Sequence, residues 1–258
     1  MAFWRDFIKY CLNKTPYRLT RGVGSSGASS TGLDLVLRMA LGAGWPLTIV
    51  QIGANDGTTM DPLRVALRDH DFPTLFVEPI QPKLDSVRRL YEGRAGFEFA
   101  PVAVSDKAGA ATIYNLPHFP GAPPWTESLA SFNRKVILSH AHLLKMSKSK
   151  LNDMIESAVV ETITMPMLFE RFPDFQKAQL VQIDTEGHDD VIIGSLLETD
   201  QRPSFINFEH RHMTVERQDR IRSRLAEDGY SFVVSDMDTL CWREGSFQLR
   251  TPGSMRAS

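Results

Sequence analysis

At 258 residues, with 42% hydrophobic and 23% charged residues, the chain is long enough for one α/β domain with a substantial core and requires no second one. A formal net charge of -2 gives no electrostatic case for nucleic acid or an anionic membrane surface. Cys11 and Cys241 are too few and too distant for a disulfide framework, no apolar run approaches the roughly 20 residues that span a bilayer, and Arg5, Asp6 and Lys9 interrupt any signal-peptide core, so the expectation is a soluble, cytoplasmic protein.

Phe3, Trp4, Phe7, Ile8, Cys11 and Leu12 recur at helical spacing and predict an amphipathic helix packed on its own domain. Residues 22–32 are Gly/Ser-rich and read as a flexible linker, followed by a short helix over 33–41 that stops at Gly42. Residues 1–42 are thus set apart from a main domain over 43–258. Ile49-Val50-Gln51-Ile52 is mostly apolar, as a buried parallel strand should be, and runs into Gly53-Ala54-Asn55-Asp56-Gly57. A helix follows over 62–70, with Asp61-Pro62 as its opening pair. Leu75-Phe76-Val77 is the next strand and ends in Glu78-Pro79, before a helix over 82–91 stopped by Gly93. Residues 97–104 predict a third strand ending at Ser105-Asp106, and 110–115 an edge hairpin partner.

Residues 116–154 break this rhythm with Pro117, Pro120, Pro123 and Pro124 and then a lysine-bearing polar stretch. A segment this long without periodicity is expected to be a substrate loop or lid, at about 117–154. A strand over 159–164 and a helix over 166–172 come next. Leu180-Val181-Gln182-Ile183 is a core strand ending in Asp184-Thr185-Glu186-Gly187-His188, with a helix behind it that carries Val191, Ile192, Leu196 and Leu197. Phe205-Ile206-Asn207-Phe208 ends in Glu209-His210-Arg211-His212, and a helix over 215–228 leads to a closing antiparallel pair at 231–235 and 239–243. Strands alternating with helices predict a doubly wound, mostly parallel α/β sheet.

The chemistry begins at the first strand end. A dinucleotide loop is spaced G-x-G-x-x-G to admit a pyrophosphate, whereas here the spacing is Gly53-x-x-x-Gly57 with Asp56 inside it. That extra negative charge suits an ammonium better than a phosphate. Glu78, at the tip of the neighbouring strand, is placed for a pair of ribose hydroxyls. A nucleoside joined to an amino acid without phosphate is S-adenosylmethionine, which is the cofactor these residues point to.

Five segments in order, Gln51-Ile52-Gly53-Ala54-Asn55-Asp56-Gly57, Val77-Glu78-Pro79, Ala103-Val104-Ser105-Asp106, Gln182 to Asp189 and Phe208-Glu209-His210, resemble the FkbM-type methyltransferases. The resemblance covers about residues 47–243. It implies a class I, Rossmann-like fold and S-adenosylmethionine-dependent methylation of a hydroxyl, on a sugar or glycan or a small natural product. By the same resemblance Gly53, Ala54, Asn55, Asp56 and Gly57 would hold the methionine part, Glu78 the ribose, and Ser105 or Asp106 would lie near the adenine. Many relatives have an acid where this chain has Gln51; Asp56 is the candidate to supply it.

Methyl transfer from a sulfonium needs alignment and, for a hydroxyl acceptor, removal of a proton. In an open parallel sheet ligands sit beyond the carboxyl ends of the strands, at the point where the strand order reverses. Asp184, His188 and Glu209 are the catalytic candidates at such ends, with capping of the following helix as the alternative for Asp184. His210 and His212 read as loop or surface residues, and the histidines of the long loop as possible substrate contacts. Oxygen ligands such as Asp184 and Glu209 would also suit Mg²⁺ or Mn²⁺. Two other functions share this fold class: an NAD-dependent oxidoreductase, against which the missing G-x-G-x-x-G counts, and a non-catalytic binding module, which would be expected to lose its strand-end acids. The expected partner is a small-molecule or glycan acceptor.

Overall fold

A computed structural model describes residues 31–243. The predicted helix at the N-terminus and most of the predicted linker fall outside them. The first described element is helix α1 (Thr31–Ala43), which starts two residues earlier than expected and runs past Gly42. Leu33, Val36, Leu37 and Ala40 of α1 are buried in one cluster with Ile49, Leu180 and Phe205, so a boundary at residue 42 would cut an element that shares the core of the sheet.

The strands in chain order are β1 (Ile49–Ile52), β2 (Thr74–Val77), β3 (Phe97–Ala100), β4 (Ala103–Val104), β5 (Gly109–Asn115), β6 (Ala130–Ser131), β7 (Glu156–Ile163), β8 (Leu180–Ile183), β9 (Phe205–Glu209), β10 (Tyr230–Val234) and β11 (Asp238–Arg243). After α1 come helices α2 (Arg64–Asp69), α3 (Gln81–Leu90), α4 (Arg134–Ser139), α5 (Lys148–Met154), α6 (Met165–Arg171), α7 (Asp189–Leu197) and α8 (Val215–Glu227). Seven strands form the main sheet in the order β10-β11-β9-β8-β1-β2-β3. Pairings among β3, β2, β1, β8 and β9 are parallel, and those of β11 with β9 and β10 are antiparallel. The order reverses between β1 and β8, which places the switch point between the Gly53 loop and Asp184.

Alternation along the strands feeds two cores. Val50, Ile52, Leu75, Val77, Val181, Ile183, Ile206 and Phe208 face α6, α7 and α8. Ile49, Phe76, Leu180 and Phe205 face α1, α2 and α3. Helices on both faces explain why β1, β2 and β8 are buried at every position. The sheet is therefore the doubly wound, Rossmann-like one expected, with its closing antiparallel pair.

Two expectations change. The single strand predicted over 97–104 is two strands, β3 in the main sheet and β4 in a second, four-stranded sheet ordered β4-β7-β5-β6. Pro101 stands between them and has no N–H to donate to a ladder. The predicted hairpin strand and the strand over 159–164 are β5 and β7 of this second sheet, paired antiparallel over seven residues each. The predicted loop at 117–154 is also folded. It holds a 3-10 turn at Pro124–Ser128, β6, α4 and α5, around its own cluster of Leu116, Leu129, Ile137, Ala141 and Leu151. The prolines serve as turn and helix-start residues, Pro124 opening the 3-10 turn, and Ser147 caps α5 by accepting from the Lys150 N–H. This part is a roof over the strand ends rather than an unstructured lid.

Candidate active site

Val77, Ile52, Ile183 and Phe208 are register partners across β2, β1, β8 and β9. The next residue of each strand is therefore Glu78, Gly53, Asp184 or Glu209, side by side in one row. Two rows back, Gln51, Gln182 and Asn207 are also partners. Side chains two apart share a face of a sheet, so these amides lie under the acids. The Asn207 amide donates to Gln182 Oε1 at 2.8 Å, and the Gln51 amide donates to Asp61 Oδ1 at 3.0 Å. All seven line a cavity of about 910 Å³ whose roof includes Trp125, Leu129, Phe132 and His140.

Gly53 is where the backbone must turn. Its φ is +84°, and a Cβ there would stand 1.8 Å from the Asp184 carbonyl oxygen. Gly53 and Ala54 both donate to the Val77 carbonyl, at 2.9 and 3.2 Å, which locks the loop against β2. Asn55 follows with φ +49° and donates its N–H to Glu78 Oε2 at 3.0 Å, while Ile80 N–H donates to Oε1 at 2.9 Å. Glu78 is buried at the cavity wall, and burial raises its carboxyl above the ordinary range against the Lys83 charge and these two N–H groups. Each of its oxygens keeps a second lone pair for a ligand hydroxyl.

Gly53, Ala54 and Asn55 line the cavity as expected, but Asp56 and Gly57 do not. The carboxylate of Asp56 accepts from Thr58 N–H, Thr59 N–H and Thr59 Oγ1 at 2.7 to 2.9 Å. Burial works against its charge, but these donors leave it below the ordinary range. Asp56 thus shapes the turn, and the acid facing the cavity is Asp61. Asp61 Oδ1 accepts from Gln51 and from the Leu63 N–H, while buried Oδ2 has no hydrogen-bond partner among the described residues. Burial raises this carboxyl to about 6. In the sequence Asp61 reads only as a helix cap. The fold places it against Gln51, the position for which an acid is sought.

Ser105 and Asp106 lie outside the cavity lining, whereas Ala103 and Val104 are in it. Ser105 Oγ donates to Asp106 Oδ1 at 3.1 Å and lies 3.0 Å from His188 Nε2. His188 does line the cavity, with its ring held edge-on to Phe132, and burial lowers its imidazole toward the neutral form. The N-cap of α7 is His188, with no side-chain capping bond, and Asp189 in the first turn accepts from Thr185 Oγ1 and Gly187 N–H at 3.0 and 3.3 Å. Asp184 is therefore free of the capping role, and it faces the cavity with Glu209. Burial is the main cause pushing both of these carboxyls up; the like charges of Glu186, Asp189 and Asp238 add to it at both, and Asp184 adds to it at Glu209.

His210 and His212 lie in the loop after β9, as expected, but neither is an exposed surface residue. His210 is buried, with Nδ1 3.0 Å from Thr239 Oγ1. His212 lines the cavity between Glu186 and Glu209. These three form the group of possible metal ligands among the described residues, and Asp184, expected with Glu209, is not in it. Of the roof histidines, His140 reaches the cavity while His118 and His142 do not.

No protein-family model and no curated protein matches the chain. Among solved structures it is similar to methyltransferase FkbM from Methylobacillus flagellatus, at 8% identity and TM-score 0.46 over 76% of this chain and 43% of that one. It is similar also to a fibrillarin pre-rRNA processing protein of Methanococcus jannaschii, at 10% identity and TM-score 0.41 over 77% and 67% of the two chains. A third similarity is to S-adenosylhomocysteine-bound methyltransferase PaMTH1 of Podospora anserina, at 10% identity and TM-score 0.41 over 94% and 96%. The chain spans less than half the length of the first of these.

Proposed function

We propose that the chain is an S-adenosylmethionine-dependent methyltransferase acting on a hydroxyl of a small molecule or glycan, in a cytoplasmic setting. The observation that carries the reading is the pair of carboxylates flanking the Gly53–Asn55 turn. Glu78 is buried on the β2 side, where a ribose would meet it, and Asp61 offers an unpartnered oxygen where an ammonium would lie. A pyrophosphate would meet two acids here. That disfavours a dinucleotide, and the strand-end acids disfavour a module without catalysis. A cytoplasmic setting is supported by the buried free thiol of Cys241 and by the absence, among the described residues, of a helix long and apolar enough to cross a membrane.

S-adenosylmethionine held by the Gly53–Asn55 turn, Glu78 and Asp61 would supply an activated methyl group to the acceptor oxygen, and the hydroxyl proton would pass to a protein base. The sulfonium carries the activation, so the chain's part is alignment, exclusion of water under the roof, and acceptance of that proton. Asp184 emerges beside Gly53 with no capping task and is the assigned base, with Glu209 and His188 on the same wall.

Calorimetry tests the cofactor. S-adenosylhomocysteine should bind and NAD should not, and Glu78→Gln should weaken the former by about 1–3 kcal/mol, the scale for a lost buried hydrogen-bond acceptor. Asp184→Asn should bind S-adenosylhomocysteine nearly as well as the parent and lose about a hundredfold in turnover. Binding of NAD in place of S-adenosylhomocysteine overturns the assignment.

A further inference from the structure

We propose that Glu186, Glu209 and His212 form a binding site for a divalent first-row transition-metal ion in the acceptor half of the cavity. The three come from two strand ends. Glu186 lies in the turn between β8 and α7, Glu209 closes β9, and His212 follows three residues later. His212 Nε2 is 2.9 Å from Glu186 Oε2 and 3.8 Å from Glu209 Oε2, and one donor atom from each residue lies within 4.8 Å of the others. Atoms about 2.0–2.2 Å from one ion stand roughly 3 Å apart when they share an edge of its coordination shell. The Glu186–His212 separation has that value, and a small turn of the Glu209 carboxylate would bring the third donor in.

The second observation is how these atoms are bonded. Glu186 Oε2 and Glu209 Oε2 are buried, and neither has a hydrogen-bond partner among the described residues. The imidazole Nε2 stands 2.9 Å from Glu186 Oε2 as an ion-pair neighbour and makes no hydrogen bond to it. His212 itself is only 10% exposed, so water is not an easy substitute. Among the described residues no Lys or Arg forms an ion pair with either glutamate, and Arg211 donates to Met237 Sδ instead. Two carboxylates share one imidazole, which carries at most a single positive charge, so a divalent cation balances the group where the imidazole alone does not.

The donor set limits the ion. An imidazole with two carboxylates suits Mn²⁺, Fe²⁺ or Zn²⁺, whereas Ca²⁺ takes six to eight oxygens. Three protein ligands also leave positions open for water or for an oxygen of the acceptor. That an ion here would hold the acceptor rests on the methyltransferase reading; that it binds does not.

The test uses the full chain without cofactor. Mn²⁺ is titrated and its free six-line electron paramagnetic resonance signal followed. One Mn²⁺ per chain should be taken up, Zn²⁺ should displace it and Ca²⁺ should not. Glu209→Gln and His212→Ala should each weaken uptake at least about tenfold, while Glu127→Gln, an exposed roof variant, should leave it unchanged. Should the site variants not fold, Mn²⁺ added to the parent chain should broaden the imidazole resonances of His212 and His140 before those of exposed His118 and His142. Absence of uptake, uptake unchanged in folded site variants, or broadening that begins at His118 or His142 overturns the site. Calorimetry with S-adenosylhomocysteine on the same preparation keeps the two readings apart. Cofactor bound without Mn²⁺ uptake removes only the metal, and uptake without cofactor removes only the methyltransferase.

Discussion

Asp61 ends the turn after β1, and its carboxyl, raised by burial to about 6, differs from an unfolded aspartate at 3.8. The sign follows from the proton count. Between these values the folded chain holds a proton that the unfolded chain has lost, so this contribution to stability is full below about 4 and is lost as pH rises to about 6. A bound ammonium reverses the preference, because it favours the ionised form. Cofactor affinity should therefore climb from about pH 5 to 7 and level off above. Asp61→Asn should flatten that slope and weaken binding at neutral pH. Calorimetry at several pH values checks this, and a flat profile for the parent chain would remove Asp61 from the ammonium site. Gly53 offers a different single-residue test. Its φ is positive, and a methyl carbon added there would lie 1.8 Å from the Asp184 carbonyl oxygen, so Gly53→Ala must spread β1 from β8. The expected loss is more than about 1–3 kcal/mol, since backbone strain and a main-chain clash add. Denaturant melts measure it, and a midpoint within error of the parent would contradict the turn geometry.

At the scale of elements, the roof is tied down at defined points. Ser131 Oγ in β6 donates to the Glu186 carbonyl at 2.8 Å, and Lys83 Nζ in α3 donates to the Glu127 carbonyl at 2.7 Å. Trp125, His140 and His212 are ring neighbours at 5.5 and 5.3 Å, which runs a contact from the roof to the strand ends. The roof has its own small cluster, so it should fail before the sheet does. Leu151 of α5 is fully buried there. Leu151→Ala should cost about 2–5 kcal/mol locally and bring fast proteolysis between residues 117 and 154, while the parent chain resists. If the variant is cut first within β8 or β9, the roof is not a separate unit. The lysines at 145, 148 and 150 are exposed and do not line the cavity.

For the whole molecule, cofactor and roof should act on one equilibrium, because the cavity lies between the main sheet and the roof. Ligand bound only by the native state at a hundred times its dissociation constant stabilises by about 2.7 kcal/mol. For a chain of this size that shift is roughly 5–10 °C in Tm. S-adenosylhomocysteine should produce it in thermal melts and NAD at the same concentration should not; an equal shift with both would leave the cavity without selectivity. The main sheet and its switch point are legible in the residues alone. Buried parallel strands are local apolar runs, their ends are marked by glycine and acids, and the order of these signals along the chain is the order of the crossovers. Gly53, Glu78, Asp184 and Glu209 stand out for that reason. Which groups face one another across the cavity depends on the folded chain. Asp56 and Asp61 are five residues apart and both follow β1, yet one is consumed by threonine donors and the other faces the cavity. His212 reads as a loop residue until β8 and β9 pair in register and bring Glu186 and Glu209 to it. The roof's cluster joins residues from Leu116 to Leu151, whose spacing carries no period. Periodicity reports contacts between a segment and one surface, whereas the roof and the acid–imidazole group are made by segments meeting from several directions.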